Sequence, residues 1–495
     1  MTRFYFLLIA LFATCGLMFA QVEKSVNTPG AGQLGTLFTQ TDYDNVTKLT
    51  IGGQLNAYDF VFIRKFTVLK ELNLKDVQIV EFPDQINNQD IYYFYAANQL
   101  PHGGLKNMKI KKIVFPTSIN SIGKMALSNT HILGNIAIPE GIINIEETAF
   151  SQCDSITSVT FPSTLSKIGL GAFADCDNLS GTIVFPNGLK SIKAEAFYGC
   201  NKLSGSLAFP NGLEEIGTNA FKLCTSIDGN IIIPASVKKS GSSAFAETKI
   251  SSAEINMDTI PYEMFSSCYS LTNVTLNNTK VIDSYAFTNC STLTHINFPV
   301  SLREIGGSAF ANTNLTGNIT FPENLQKIGD DAFSGLSGIT GLNFNSSLKT
   351  IGFRSFFQCT GIEQQLILPN SITAIGSQAF DGCSKITKIV VPENITNIEF
   401  ATFARCSAVK SIFLPSSITQ IQDEAFNSCT SVDSIYSNNP VPPVIQANTF
   451  SSSMYEKSIV AVLPTSINSY KADQYWGLFG NKVVSNVIII EPKLL

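Results

Sequence analysis

The side chains of this 495-residue chain able to ligate a metal, cross-link or move a proton are eleven cysteines, three histidines and scattered carboxylates. Ten of the cysteines share one spacing: Cys153, Cys176, Cys200, Cys224, Cys268, Cys290, Cys359, Cys383, Cys406 and Cys429 each stand three residues after a phenylalanine. In an exported chain, ten cysteines would ordinarily suggest disulfides. A single stacked column argues otherwise. Side chains in register point the same way at the strand spacing of about 4.8 Å, whereas a disulfide needs the two Cβ atoms to converge to about 3.8 Å. The same place holds Thr130, Thr248, Thr313, Leu336 and Ser453 in the other copies, and leucine could serve neither a metal nor a redox site. The column is therefore expected to be buried free thiols acting as small apolar plugs.

The remaining chemistry is sparse. His102, His131 and His295 have no second histidine at ligand spacing, and each is expected on a surface or loop. Asp42-Tyr43-Asp44-Asn45 lacks the glycine and closing glutamate of a calcium loop and reads as a solvated turn. Neither a glycine-rich phosphate loop nor a zinc-protease helix motif occurs. No catalytic residue, cofactor or metal is expected, and the chain is not read as an enzyme.

The elements that position the cysteines are copies of one unit. Phe150, Phe173, Phe197, Phe221, Phe245, Phe265, Phe287, Phe310, Phe333, Phe356, Phe380, Phe403, Phe426 and Phe450 recur at steps of mostly 23 or 24 residues, with Leu127 in the same place of the first copy. The exceptions are steps of 20 before Phe265 and 22 before Phe287. A fixed period in this range means stacked coils. In the copy from Ile156 to Cys176, Val159-Thr160-Phe161 alternates in and out as a short strand does. Pro162 ends it, having no N–H to give a neighbouring strand. Leu165 and Ile168 turn inward, glycine often follows (Gly169, Gly217, Gly329), and the Ala-Phe pair plugs the interior. Because Glu146, Lys193 and Gln422 also occupy the glycine column, that position is expected to be exposed, with glycine favoured but not required. One coil cannot close a core alone; stacked coils bury the Leu, Ile and Phe columns as ladders. Fifteen coils at the strand spacing give an array roughly 70 Å long.

Charged residues make up 14% and hydrophobic residues 44%, so the chain is too apolar to be disordered. A net charge of −5 argues against a nucleic-acid backbone as partner. Residues 1–20 combine Arg3, an apolar run and a cleavable Ala20-Gln21 step, the pattern of a secretory signal peptide. No later apolar run approaches the roughly 20 residues needed to span a membrane, and Val483 to Ile490 reads as a final strand. The mature chain is expected to be exported, either secreted or held at the cell surface.

The repeat L-x-x-I-x-(I/L/F)-P-x-x-(I/L)-x-x-I-G-x-x-A-F-x-x-C resembles the BspA-like class of leucine-rich repeats, with Val409 to Cys429 and Ile362 to Cys383 as good matches. The flanks also resemble that family: Val46 to Phe60 with Leu69 to Leu74 its opening module, and Asn439 to Trp476 its closing one. The fold class expected is α/β, a right-handed, curved leucine-rich-repeat solenoid of about fifteen 23-residue coils. It would carry one long parallel β-sheet and modified capping modules, with residues 21–107 forming the N-terminal cap, 108–450 the repeats and 451–495 the C-terminal cap. Trp476, the only tryptophan, should pack on the last coil. The resemblance implies a surface or secreted protein that binds host proteins or other cells, and it transfers no ligand residue.

One column could supply a contact surface. The strand residue between the two inward positions faces out. Down the copies it runs from Val114, Ala137 and Thr160, through Asn297, Thr320 and Asn343, to Ile367, Val390, Phe413 and Tyr436. The last four make an apolar stripe, and such patches usually mark contacts. They are the candidate partner-binding residues, for a host extracellular-matrix or cell-surface protein. The alternative partner is a glycan or cell-wall polymer, for which Asn297, Thr320 and Asn343 are the hint. The stripe could also be covered by the closing module, or be set by β-propensity alone.

Overall fold

The computed structural model describes residues 21–82 and 96–486. Residues 1–20, where the sequence places a signal peptide, lie outside the described residues, as does the end of the expected final strand beyond 486. Strands stack in parallel from one end of the chain to the other. Each regular coil has a front strand such as Ile156–Thr160, a proline turn and a two-residue strand such as Lys167–Ile168. A return segment of consecutive turns closes the coil around the marker phenylalanine. The stack begins before residue 108: Gln99–Leu100 pairs with Ser121–Ile122, and the Leu105 N–H donates to Ala126 O at 2.9 Å, as later marker residues do.

The single long front sheet expected from the repeat is in fact divided. Four strands from Glu23–Asn27 to Lys112–Val114 form one sheet, and Gly134–Ala137 pairs only with Ile156–Thr160. A third sheet runs from Leu207–Ala208 to Asn273–Leu276, Gly317–Thr320 pairs with Ile339–Asn343, and a six-stranded sheet runs from Gln365–Ile367 to Val483–Ser485. Three of the four gaps fall at coils with an added left-handed glycine: Gly134 (φ 76°), Gly181 (φ 72°) and Gly205 (φ 79°), and Gly317 (φ 79°). The pairing slips register beside Gly134 and Gly317, because an unmatched residue in one of two parallel strands shifts every later hydrogen bond.

Helices are confined to the two ends. The return segments from Leu127 to Phe426 cannot be helical, because each marker residue there is flanked two positions either side by a left-handed residue, such as Thr148 (φ 50°) and Gln152 (φ 60°) around Phe150. For a non-glycine residue that conformation costs about 1–2 kcal/mol. It is offset by hydrogen bonds to the next coil: Thr148, Phe150 and Gln152 donate to the carbonyls of Leu170, Ala172 and Ala174 at 2.7–2.8 Å.

The glycine column has a different cause from the exposure expected of it. A Cβ at Gly169 would lie 2.6 Å from the carbonyl carbon of Glu146, and one at Gly329 would lie 2.6 Å from that of Gly306. Glycine is favoured there because successive backbones come into contact.

Inside, the marker rings form one ladder. From Phe150 to Phe450 consecutive centroids are 5.0–5.7 Å apart and the rings lie within 16° of parallel. The ten cysteines are free and buried. Each Sγ donates to the carbonyl of the marker residue one coil earlier at 3.0–3.3 Å, as Cys176 does to Phe150 and Cys429 to Phe403. Where Thr248 and Thr313 stand in the column the hydroxyl bonds within its own coil instead: Thr313 Oγ1 donates to Phe310 O at 2.8 Å, as Thr248 Oγ1 does to Phe245 O. Burial pushes the thiols up, to about 11 at Cys268 and about 12 at Cys359 and Cys429. Because only the thiolate reacts, the folded chain of residues 21–495 is expected to give no signal with a disulfide-exchange reagent at pH 8 and ten thiols after denaturation. Equal reaction rates before and after denaturation would contradict the buried column.

The two ends are closed differently. In the N-terminal module the Asp59 carboxylate is fully buried and accepts the N–H groups of Gly32, Leu34 and Asn56 at 2.7–2.9 Å. Asp42, expected in a solvated turn, lies instead in the short helix Gln40–Asn45, in a capping box with Thr39. The Lys24 ammonium at 2.7 Å and the Thr39 amide and hydroxyl hold its carboxyl at about 2. At the other end Trp476 is fully buried against Phe450, and its Nε1 donates to Pro443 O at 2.8 Å.

Candidate functional site

The six-stranded C-terminal sheet brings the four stripe residues together in register. Ile367 sits opposite Val390, Val390 opposite Phe413, and Phe413 opposite Tyr436. Alternation fixes which side chains face out: Leu366, Ile389, Ile412 and Ile435 are fully buried, and their successors point to the opposite side. Ile367 is 41% exposed. Val390, Phe413 and Tyr436 are half-buried, because each leans on its neighbour in the stack. The Phe413 and Tyr436 rings stack at 4.6 Å and 10°, closer than any pair in the interior ladder. The Lys388 ammonium lies 4.5 Å from the Phe413 ring centre, an attraction of cation and ring face that fixes the ring's outer side.

The closing segment extends this sheet instead of folding over it. Ile459–Val462 pairs in parallel with Ser434–Ser437, and Val483–Ser485 pairs with Ile459–Val462. Ala461, buried at 6%, and Val484, 38% exposed, follow Tyr436 in register, and Ile459 adds an exposed side chain on the neighbouring outward column. Sequence reasoning missed these three because the 23-residue period stops at Phe450. The alternation of Ile459-Val460-Ala461-Val462 is too uniformly apolar to show a face.

In the middle of the column Asn297, Thr320 and Asn343 are exposed. Asn343 Nδ2 donates to Thr320 Oγ1 at 3.2 Å, so those polar groups partly satisfy each other. Asn297 lies outside any strand. His131 and His295 are exposed, whereas His102 is half-buried and desolvation holds its pKa down. Among the described residues no group of three or more His, Cys, Asp or Glu converges, and no helix is long and apolar enough to cross a membrane.

Known proteins with related sequences or folds place this architecture. No curated protein matches the chain. Among solved structures, a leucine-rich repeat protein from Bacteroides ovatus is similar at 28% identity and a TM-score of 0.50, over 61% of this chain and 86% of that one. A leucine rich cell surface protein from Faecalibacterium prausnitzii shares 23% identity over 68% of this chain and 89% of that one, with a TM-score of 0.34. The profile of the BspA type leucine rich repeat region matches overlapping stretches at residues 98–228, 202–316, 258–365, 303–433 and 363–472. With a marker ladder, proline-ended strands and a family profile running through most of its length, the chain belongs to the BspA-type leucine-rich-repeat family.

Proposed function

We propose that this chain is a non-catalytic adhesin, secreted or held at the cell surface, that binds a host extracellular-matrix or cell-surface protein through the outward face of its C-terminal sheet. Leucine-rich-repeat solenoids are typically protein-binding, and BspA-like members are typically cell-surface proteins. The observation that carries the reading is the in-register column Ile367, Val390, Phe413 and Tyr436, left open by a closing segment that lengthens the sheet. An aromatic pair held rigid by stacking loses little side-chain freedom on binding, which is why such residues dominate binding energies.

The test is a binding screen of residues 21–495 against immobilised extracellular-matrix proteins, with a glycan array beside it. A saturable protein hit is expected to weaken by at least about 30-fold in the Phe413→Ser, Tyr436→Ser double variant, the effect of losing about 2 kcal/mol at a hot spot. Melting should change little, because both rings are partly exposed. Unchanged affinity in the double variant would remove the sheet face from the proposal, and hits on glycans alone would replace the protein partner by a glycan.

A further inference from the structure

A second surface, at the opposite end of the array, has a different chemistry. A cleft of about 500 Å³ runs across the starts of the first parallel strands, with Val22 and Val68 in its lining. Both valines are exposed, at 42% and 38%. Lys70, Lys109, Lys111 and His131 line it, all four exposed. Backbone bonds fix their arrangement. Lys70 N–H donates to Thr47 O at 2.8 Å, Lys111 N–H to Lys70 O at 2.7 Å, and Leu133 N–H to Lys111 O at 2.9 Å. Thr47, Lys70, Lys111 and Leu133 are therefore successive rungs, about 4.8 Å apart. Lys109 and His131 precede Lys111 and Leu133 by two residues and form a second column beside the first.

This cation lattice is not neutralised from within. Among the described residues, Lys70, Lys109 and Lys111 take part in no ion pair, whereas eight lysines of the later coils reach a carboxylate of an adjacent coil, as Lys167 does Glu146 and Lys327 does Glu304. Asp44 is the one carboxylate in the lining, and Gln40 Nε2 donates to it at 3.0 Å. Asp154 lies beyond His131. From residue 91 to residue 139 the sequence has five lysines and no aspartate or glutamate, in a chain whose net charge is −5. A local excess of one sign against an overall excess of the other focuses attraction on one place.

We propose that this cleft binds an acidic polysaccharide, a linear glycan bearing sulfate or carboxylate groups along its length. A set of cations repeating with the coil period is matched by a polymer whose anions also repeat. Two of the strands whose starts the cleft crosses, Lys48–Leu55 and Glu71–Ile79, are paired on both sides, so a peptide strand could add only at the outer edges of Glu23–Asn27 and Lys112–Val114. The site is independent of the Phe413 and Tyr436 face and lies at the other end of the stack.

The experiment measures binding of residues 21–495 to a heparin octasaccharide and to polygalacturonate oligomers, with neutral dextran, poly-glutamate and a single-stranded DNA oligonucleotide as comparators. Saturable binding of one or both acidic glycans is expected, weakening as salt screens the charges. The triple variant Lys70→Gln, Lys109→Gln, Lys111→Gln should bind at least tenfold more weakly. A control triple variant, Lys385→Gln, Lys410→Gln, Lys457→Gln, and the Phe413→Ser, Tyr436→Ser variant should both bind as the unaltered chain does. Exposed lysine-to-glutamine changes usually alter stability by under about 0.5 kcal/mol, and melting curves of both triple variants check this. Absent glycan binding, an equal loss in the control variant, or equal affinity for poly-glutamate or DNA would each overturn the proposal.

Discussion

Replacing Phe333 by alanine is expected to lower the stability of the array by about 3–5 kcal/mol, the usual cost of deleting a buried aromatic ring. Phe333 is fully buried and stacks between Phe310 at 5.3 Å and Phe356 at 5.5 Å, with the edge of Phe321 at 5.8 Å. Its backbone is held independently, since the Phe333 N–H donates to Ser355 O at 2.8 Å. The coil therefore cannot collapse onto the gap without giving up hydrogen bonds, and a cavity opens across three coils. Because each coil touches only its neighbours, a weakened middle coil should also uncouple the two halves. Chemical denaturation followed by circular dichroism should then show a broadened or two-step transition where the unaltered chain shows a steeper one. Phe333→Leu is the internal control: Leu127 fills the same place in its own coil at 0% exposure, so leucine should cost markedly less. A loss under about 1 kcal/mol for the alanine variant would mean that the ring ladder is not the spine of the fold.

The ladder could be read from sequence because it is a demand on residue type. Only a large apolar side chain fills the coil interior, so phenylalanine recurs and the period follows. The return segment makes demands that leave no such trace. Its two left-handed positions hold Met125, Thr148, Leu223, Arg354 and Ser428 among others. The neighbouring coil imposes their conformation through inter-coil hydrogen bonds, so side-chain preference plays little part. The glycine column was visible, but its cause was not: contact between successive backbones depends on how coils stack, which one coil's sequence does not state. The gaps in the front sheet have the same origin, since Gly134 and Gly317 look like ordinary turn glycines until the neighbouring strand is placed beside them. At the candidate site, alternation placed Ile367, Val390, Phe413 and Tyr436 on one face. What it could not give was their half-buried state, which arises from mutual stacking, or the extension through Ala461 and Val484, where the period has ended. The basic cleft escaped sequence reasoning because its lysines come from loops separated by residues 71–108 and meet only through the parallel pairing of Glu71–Ile79 with Lys112–Val114.

Removing the indole of Trp476 should have an effect of similar size but different reach. Trp476 meets Phe450 at 5.3 Å, Tyr470 at 5.1 Å and Phe479 at 6.0 Å, all fully buried or nearly so. Tyr470 in turn hydrogen-bonds Ser437 at 2.7 Å, and desolvation raises its hydroxyl to about 12. Trp476→Ala is expected to cost about 3–5 kcal/mol and to leave the buried Pro443 carbonyl without its donor, a further penalty of about 1–3 kcal/mol. The loss falls at the end of the stack, so the last coils should fray while the middle keeps its ladder. Limited proteolysis should then cut after Lys457 or Lys471 in the variant under conditions that spare the unaltered chain. Detachment of Ile459–Val462 would also expose the pairing edge of Ser434–Ser437, and open edges recruit other chains, so sedimentation should show association that rises with concentration. Trp476→Phe, which keeps a ring but loses the N–H, should fall between the two. Tyr436 belongs to the strand laid bare, so partner binding at the sheet face should weaken in Trp476→Ala although no stripe residue has changed. A variant that resists proteolysis and melts with the unaltered chain would show that the closing segment rests on the array without holding it, and the candidate face would then owe its order to the repeats alone.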